Sequence, residues 1–96
     1  MPSLGTEQIA ELLRHIEPGW ESVRDHHLRK TYKLRDFKSA LAFVDRVGAM
    51  AEEQGHHPDV QLAWGKVVSE IWTHKINGLT ESDFIFAAKC DRLFAV

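Results

Sequence analysis

The spacing of hydrophobic positions changes several times along this chain, and each change marks a predicted element. Ile9, Leu12, Leu13 and Ile16 recur at helical spacing after Thr6, a residue able to cap a helix N-terminus. Pro18-Gly19 stops that helix. Trp20 to Arg24 reads as a short strand, with Asp25-His26-His27 as the turn after it. Leu28, Tyr32 and Leu34 share one parity, as one face of a strand does, and Lys30 interrupts that face. Asp36 can cap a second helix, whose predicted inner face is Phe37, Leu41, Val44, Gly48 and Ala51. Gly48 would permit close approach of another element. Gly55 is placed to end this helix in a left-handed conformation, and Pro58 keeps it from resuming.

The second half repeats the strand-strand-helix order. Val60 to Trp64 reads as a third strand, Gly65 punctuates, and Lys66 to His74 reads as a fourth. Asn77-Gly78 is a turn. Thr80 through Asp83 resembles a capping box, with Asp in place of the preferred Glu or Gln. A last helix carries Phe84, Ile85, Ala87, Ala88 and Leu93. The order is α-β-β-α-β-β-α. Short connections between paired strands imply antiparallel pairing, and helices with one apolar stripe need a sheet face to cover. The predicted class is α+β: a four-stranded antiparallel sheet with helices packed on one face. The opposite face is expected to be partly exposed unless a second subunit covers it.

Composition narrows the function classes. Ninety-six residues, 44% of them hydrophobic, suit one domain over 1–96 with a core large enough to fold alone. A formal net charge of −2 with interspersed signs gives no electrostatic footprint for nucleic acid or an anionic membrane. No apolar run approaches a transmembrane span, and the N-terminal residues lack the blocks of a signal peptide. The single cysteine, Cys90, fits a reducing compartment, so a cytoplasmic location is expected.

The candidate chemistry lies at element boundaries. Glu52 lies on the second helix, the run His56-His57-Pro58 follows it, His74 lies near the end of the fourth strand, and Asp83 opens the last helix. Imidazole titrates nearest neutral pH, so several histidines in one pocket suit proton transfer. Trp20 and Trp64 can supply flat apolar walls for a planar heterocycle, or can be ordinary packing residues. Asp83 can equally be only a helix cap, and Glu52 a solvated helix residue. Three histidines and a carboxylate also suit zinc or iron, but the spacing matches neither a zinc finger nor a His-Glu-x-x-His helix, and no metal is expected. His26-His27 reads as a solvated turn and His15 as a helix-surface residue. Cys90 has no neighbouring histidine in sequence and is not read as a nucleophile.

Taken in order, Glu52-x-x-x-His56-His57-Pro58, Trp64, Thr73-His74 and Gly78-Leu79-Thr80-Glu81-Ser82-Asp83 resemble the signature of the pterin-4a-carbinolamine dehydratase family. The resemblance runs from about Thr6 to Phe94 and includes Gly19-Trp20 and Asp36-Phe37. It implies dehydration of 4a-hydroxytetrahydropterin to quinonoid dihydropterin, in the recycling of tetrahydropterin used by aromatic amino-acid hydroxylases. The pterin is substrate, and no cofactor is implied. By the resemblance, His56 and His74 form the acid/base pair, His57 orients the substrate, and Asp83 orients His74 or stabilises its protonated form. Glu52 and Thr73 contact the polar edge of the pterin, and Trp20 borders the pocket. Gly55, Asp59 and Trp72 depart from the family pattern, Trp72 standing where a small hydroxyl residue is common.

The family also includes binding proteins: a dimerisation cofactor of a homeodomain transcription factor and relatives implicated in Rubisco assembly. Such a role would use the second helix around Lys38, Phe43, Arg46, Val47 and Met50. Phe43, Val47 and Met50 can form a self-association seam or the edge of the core. A homodimer or homotetramer is expected from the resemblance.

Overall fold

The computed structural model describes residues 3–95, so Met1, Pro2 and Val96 of the expected 1–96 domain lie outside the described residues. Its elements are α1 (Thr6–Leu13), β1 (Glu21–Val23), β2 (His27–Lys33), α2 (Phe37–Gln54), β3 (Asp59–Ala63), β4 (Lys66–Ile71) and α3 (Glu81–Phe94). A 3₁₀ turn, His74–Ile76, lies between β4 and α3. The four strands form one antiparallel sheet in the order β1-β2-β4-β3, as the expected α+β class requires. Among the described residues, no helix is long and apolar enough to cross a membrane.

Two hairpins set the sheet. Arg24 and Asp25 both take positive φ between β1 and β2, a mirror-image turn whose twist suits paired strands. Between β3 and β4, Gly65 takes φ +69°, and a Cβ there would lie 3.0 Å from the Leu34 carbonyl oxygen. Only glycine fits that approach without displacing backbone. The inner face of β2 carries buried Leu28 and Tyr32. The Lys30 between them sends its ammonium to Asp91 of α3, at 2.8 Å, which resolves the apparent break in the apolar face. On the outer face Thr31, Lys33 and Gln61 are exposed.

The helices are rotated or trimmed relative to expectation. Gly5, not Thr6, caps α1, with its N–H donating to Gln8 Oε1 at 2.9 Å, and the helix ends at Leu13, before Pro18. In α2 the buried stripe is Ala40, Phe43, Val47 and Ala51, whereas Phe37 and Leu41 are 46% and 43% exposed. The helix has apolar residues on two adjacent stripes, and the bulkier contact to Tyr32 through Phe43 selects the second. The expected close approach at Gly48 is absent, since a Cβ there meets nothing within 4 Å. Phe43 and Val47 are therefore core residues, not a self-association seam. Arg46 is also committed, donating to the Leu93 carbonyl at 3.1 Å. In α3 the core takes Phe84, Phe86, Ala87 and Cys90, and leaves Ile85 exposed. The fourth strand ends at Ile71, short of the predicted His74, because the chain turns back through the Thr73–Gly78 bridge.

Candidate active site

Asp83 anchors the candidate site. It lies at the third position of α3, near free N–H groups that favour a carboxylate. It is fully buried, and burying a carboxylate is costly unless partners surround it. Asp83 Oδ2 accepts from the Thr80 N–H and from Thr73 Oγ1, each at 2.9 Å. Thr73 has one hydroxyl proton, which Asp83 takes, so the Thr80 hydroxyl must donate to Thr73 Oγ1 across their 2.9 Å contact. This chain fixes the carboxylate before any ligand arrives.

His56 completes the arrangement. Gly55, at φ 64°, ends α2 in the expected left-handed conformation and turns His56 inward. Its Nε2 lies 2.8 Å from Asp83 Oδ1 and 3.3 Å from the Trp72 carbonyl oxygen. Both neighbours are acceptors, so Nε2 carries the proton. The N–H axis points to the Trp72 carbonyl, leaving Asp83 Oδ1 close to the ring without an aligned donor. Nδ1 takes no protein partner among the described residues and is free for proton transfer.

The remaining residues surround a cleft of about 480 Å³ lined by His56, His57, Trp72, Thr73 and His74, together with Gln54, Lys75 and Ser82. His57 Nε2 pairs with Glu52 in a mostly exposed contact. His74 is exposed, and its ring packs on Trp72 at a centroid distance of 4.5 Å. His56, His57 and His74 thus share one cleft. Among the described residues, no group of three or more His, Cys, Asp or Glu is disposed to hold a metal ion.

Four expectations need correction. Asp83 pairs with His56, not His74, because the 3₁₀ turn carries His74 outward while Gly55 brings His56 back over α3. Trp20 is absent from the cleft: its Nε1 donates to Asp91 Oδ2 at 3.0 Å, and its ring meets Tyr32 edge-on. Trp64 is 72% exposed at the β3–β4 hairpin and forms no wall. His26 and His27 are not a solvated turn. They are partly buried against Trp72, with ring centroids 5.3 Å and 5.8 Å from it, and His27 belongs to β2. Thr73 lines the cleft, but its hydroxyl proton is committed to Asp83. Gln54, Lys75 and Ser82 escaped the sequence reading, their only signal being adjacency to Gly55, His74 and Asp83.

Known proteins resemble this chain in both sequence and fold. Residues 2–93 match the family model for pterin 4 alpha carbinolamine dehydratase. The chain is 55% identical, over 97% of its length and 86% of the relative's, to a Rubrobacter xylanophilus protein named "Putative pterin-4-alpha-carbinolamine dehydratase". An Alkaliphilus metalliredigens protein of the same name is 45% identical over 95% of this chain and 82% of its own. The structure superposes with a TM-score of 0.88, at 30% identity, on a Brucella melitensis protein described as a transcriptional coactivator/pterin dehydratase, covering 95% of this chain and 97% of that one. A pterin dehydratase-like RuBisCO assembly factor of the alpha-carboxysome shares the fold, with a TM-score of 0.69 at 24% identity, over 79% of this chain and 89% of its own. The chain belongs to the pterin 4 alpha carbinolamine dehydratase family.

Proposed function

We propose that this protein removes water from a 4a-hydroxytetrahydropterin, giving quinonoid dihydropterin, by histidine acid/base catalysis. The observation that carries the reading is the buried Asp83 beside His56 in a cleft shared with His57 and His74. The C4a hydroxyl leaves as water after accepting a proton, and a ring nitrogen of the pterin gives one up. Hydroxide is a poor leaving group, so a general acid lowers the barrier. His74, on the open side of the cleft, supplies that proton. His56 accepts the other through Nδ1, while its Nε2–H points to the Trp72 carbonyl with the Asp83 carboxylate 2.8 Å away. Asp83 positions His56 and acts through it. His57 orients the substrate, with Glu52 holding its ring. Thr73 supports Asp83 more directly than it meets the pterin. The reaction is redox-neutral and needs no cofactor. Its setting would be tetrahydrobiopterin recycling in the cytoplasm, beside an aromatic amino-acid hydroxylase, in a homodimer or homotetramer.

A non-catalytic binding role is the second reading. The exposed apolar pair Phe37 and Leu41 on α2 favours it, and two proteins of this fold are described as a coactivator and an assembly factor. Stopped-flow dehydration separates the two. Hydroxylase-generated 4a-hydroxytetrahydropterin should convert faster with this protein. His56→Ala and His74→Ala should each lose roughly 100-fold or more in rate while staying folded. No acceleration by the folded wild-type chain would transfer the assignment to binding.

A further inference from the structure

The 3₁₀ turn carrying His74 is held at both ends by residues that touch His26. Before the turn, Trp72 packs against the rings of His26, His27 and His74 at 5.3, 5.8 and 4.5 Å. After it, Asn77 takes the left-handed conformation, and its N–H donates to the His74 carbonyl at 3.2 Å. His26 Nε2 meets Asn77 Oδ1 at 2.8 Å. His26 and His27 face each other through their Nδ1 atoms at 3.0 Å. His27 Nε2 lies 3.0 Å from the Glu70 carboxylate and so carries a proton.

We propose that His26 and His27, acting through Trp72 and Asn77, are positioning residues that hold His74 over the cleft, and that this brace opens when both imidazoles become fully protonated. The catalytic part rests on the dehydratase reading, whereas the brace itself does not. The geometry supplies the switch. At most one of the two facing Nδ1 atoms can carry a proton. His27 Nδ1 accepts from His26 Nδ1, because the other His27 nitrogen already donates to Glu70, and His26, whose Nε2 also donates to Asn77 Oδ1, is the imidazolium of the pair. A second proton between the rings sets two N–H groups, and two cations, against each other. The pair then separates, and His26 releases Asn77 and its face of Trp72. Glu70 on β4 opposes this by holding a charged His27, while Arg29 on β2, 3.8 Å from Glu70, competes for that carboxylate and is itself 3.8 Å from Glu21 on β1. Arg24 lines a surface hollow with His26, His27, Arg29 and Glu70 and adds positive charge there. Asp25 in the turn is engaged by Thr6 and Ser22, and Lys75 and His74 lie on the braced turn.

The test is imidazole NMR of the full chain across pH, for wild type, His26→Gln and Asn77→Gly. Glycine keeps the left-handed backbone and removes only the side-chain tether. In wild type, the His74 ring protons should show a ring-current shift from Trp72 that collapses on acidification together with loss of the His26–His27 contact. In both variants the shift should be reduced already at neutral pH, with the amide spectrum otherwise folded. If either folded variant keeps the wild-type His74 shift at every pH, the brace is overturned. If His26→Gln does not fold, Asn77→Gly alone decides. In the dehydration assay the variants should lose kcat by roughly 10- to 100-fold with KM less affected. Reduced His74 shifts in the variants of a protein whose wild type shows no dehydratase activity would uphold the brace and reject the dehydratase reading.

Discussion

Asp83 and Cys90 lie on the same helix and are both fully buried, yet their chemistry diverges through their neighbours. Asp83 is surrounded by donors and a nearby imidazole, so its charge has a use at the cleft. Asp83→Asn keeps the shape and removes the charge. It should lower the dehydration rate by roughly 100-fold, as loss of a positioned acid/base partner does, with an unchanged circular-dichroism spectrum. Cys90 has no such surroundings. Burial, with a smaller contribution from the Asp91 charge, pushes its thiol up to about 12, against a weaker opposing pull from Lys30. The thiol is then neutral through the physiological range, where nucleophilic chemistry needs the thiolate. Cys90 should be inert to a disulfide reagent in the folded protein and titrate fully in denaturant. Rapid labelling of the native chain would contradict this.

At the scale of elements, α2 depends on its first turn. Asp36 Oδ1 accepts from the Ser39 N–H at 2.8 Å, and that backbone hydrogen bond holds the Asp36 carboxyl below its ordinary range. A carboxyl lowered in the folded state adds stability above its unfolded pKa, and that contribution is lost as pH falls through the lower folded value. Asp36→Ala should therefore lower the melting temperature near neutral pH, and the gap to wild type should narrow on acidification. A gap constant down to the acid limit would remove the cap from the explanation. The consequence reaches the site, because α2 ends at Gly55 and its length fixes where His56 stands.

Across the whole molecule, one polar cluster ties the sheet to α3. Asp91 Oδ1 accepts from Lys30 Nζ at 2.8 Å and Tyr32 Oη at 2.7 Å, while Oδ2 accepts from Trp20 Nε1 at 3.0 Å. Burial, with the Asp91 hydrogen bond, raises the Tyr32 phenol far above its ordinary value, so it remains a donor. The lysine and aspartate side chains are only 14% and 8% exposed. Asp91→Ala leaves a buried ammonium and two donors unpartnered, and should cost about 3–5 kcal/mol by urea denaturation. A loss below ~1 kcal/mol, the range of exposed ion pairs, would show that the cluster is solvated. This cluster is also where Trp20 is used, at the end of α3 away from Asp83.

The sequence by itself determined the element order, the antiparallel pairing and the placing of His56, His57 and His74 at element boundaries. Those features follow from local signals: Gly55 and Pro58 after α2, the two-residue Trp64-Gly65 turn, and the Thr80–Asp83 cap. It also marked Lys30 as an exception without showing its partner, which lies 61 positions away. Tertiary structure alone decided which of two apolar stripes of α2 is buried, because Tyr32 and Phe43 must meet across the sheet–helix layer. It alone decided that Asp83 serves His56, since that pairing depends on how far the 3₁₀ turn swings His74 from α3. It alone joined His26 to Asn77, 51 positions apart. Spacing encodes periodicity within an element; the distance between side chains from different elements is set only when the layers pack.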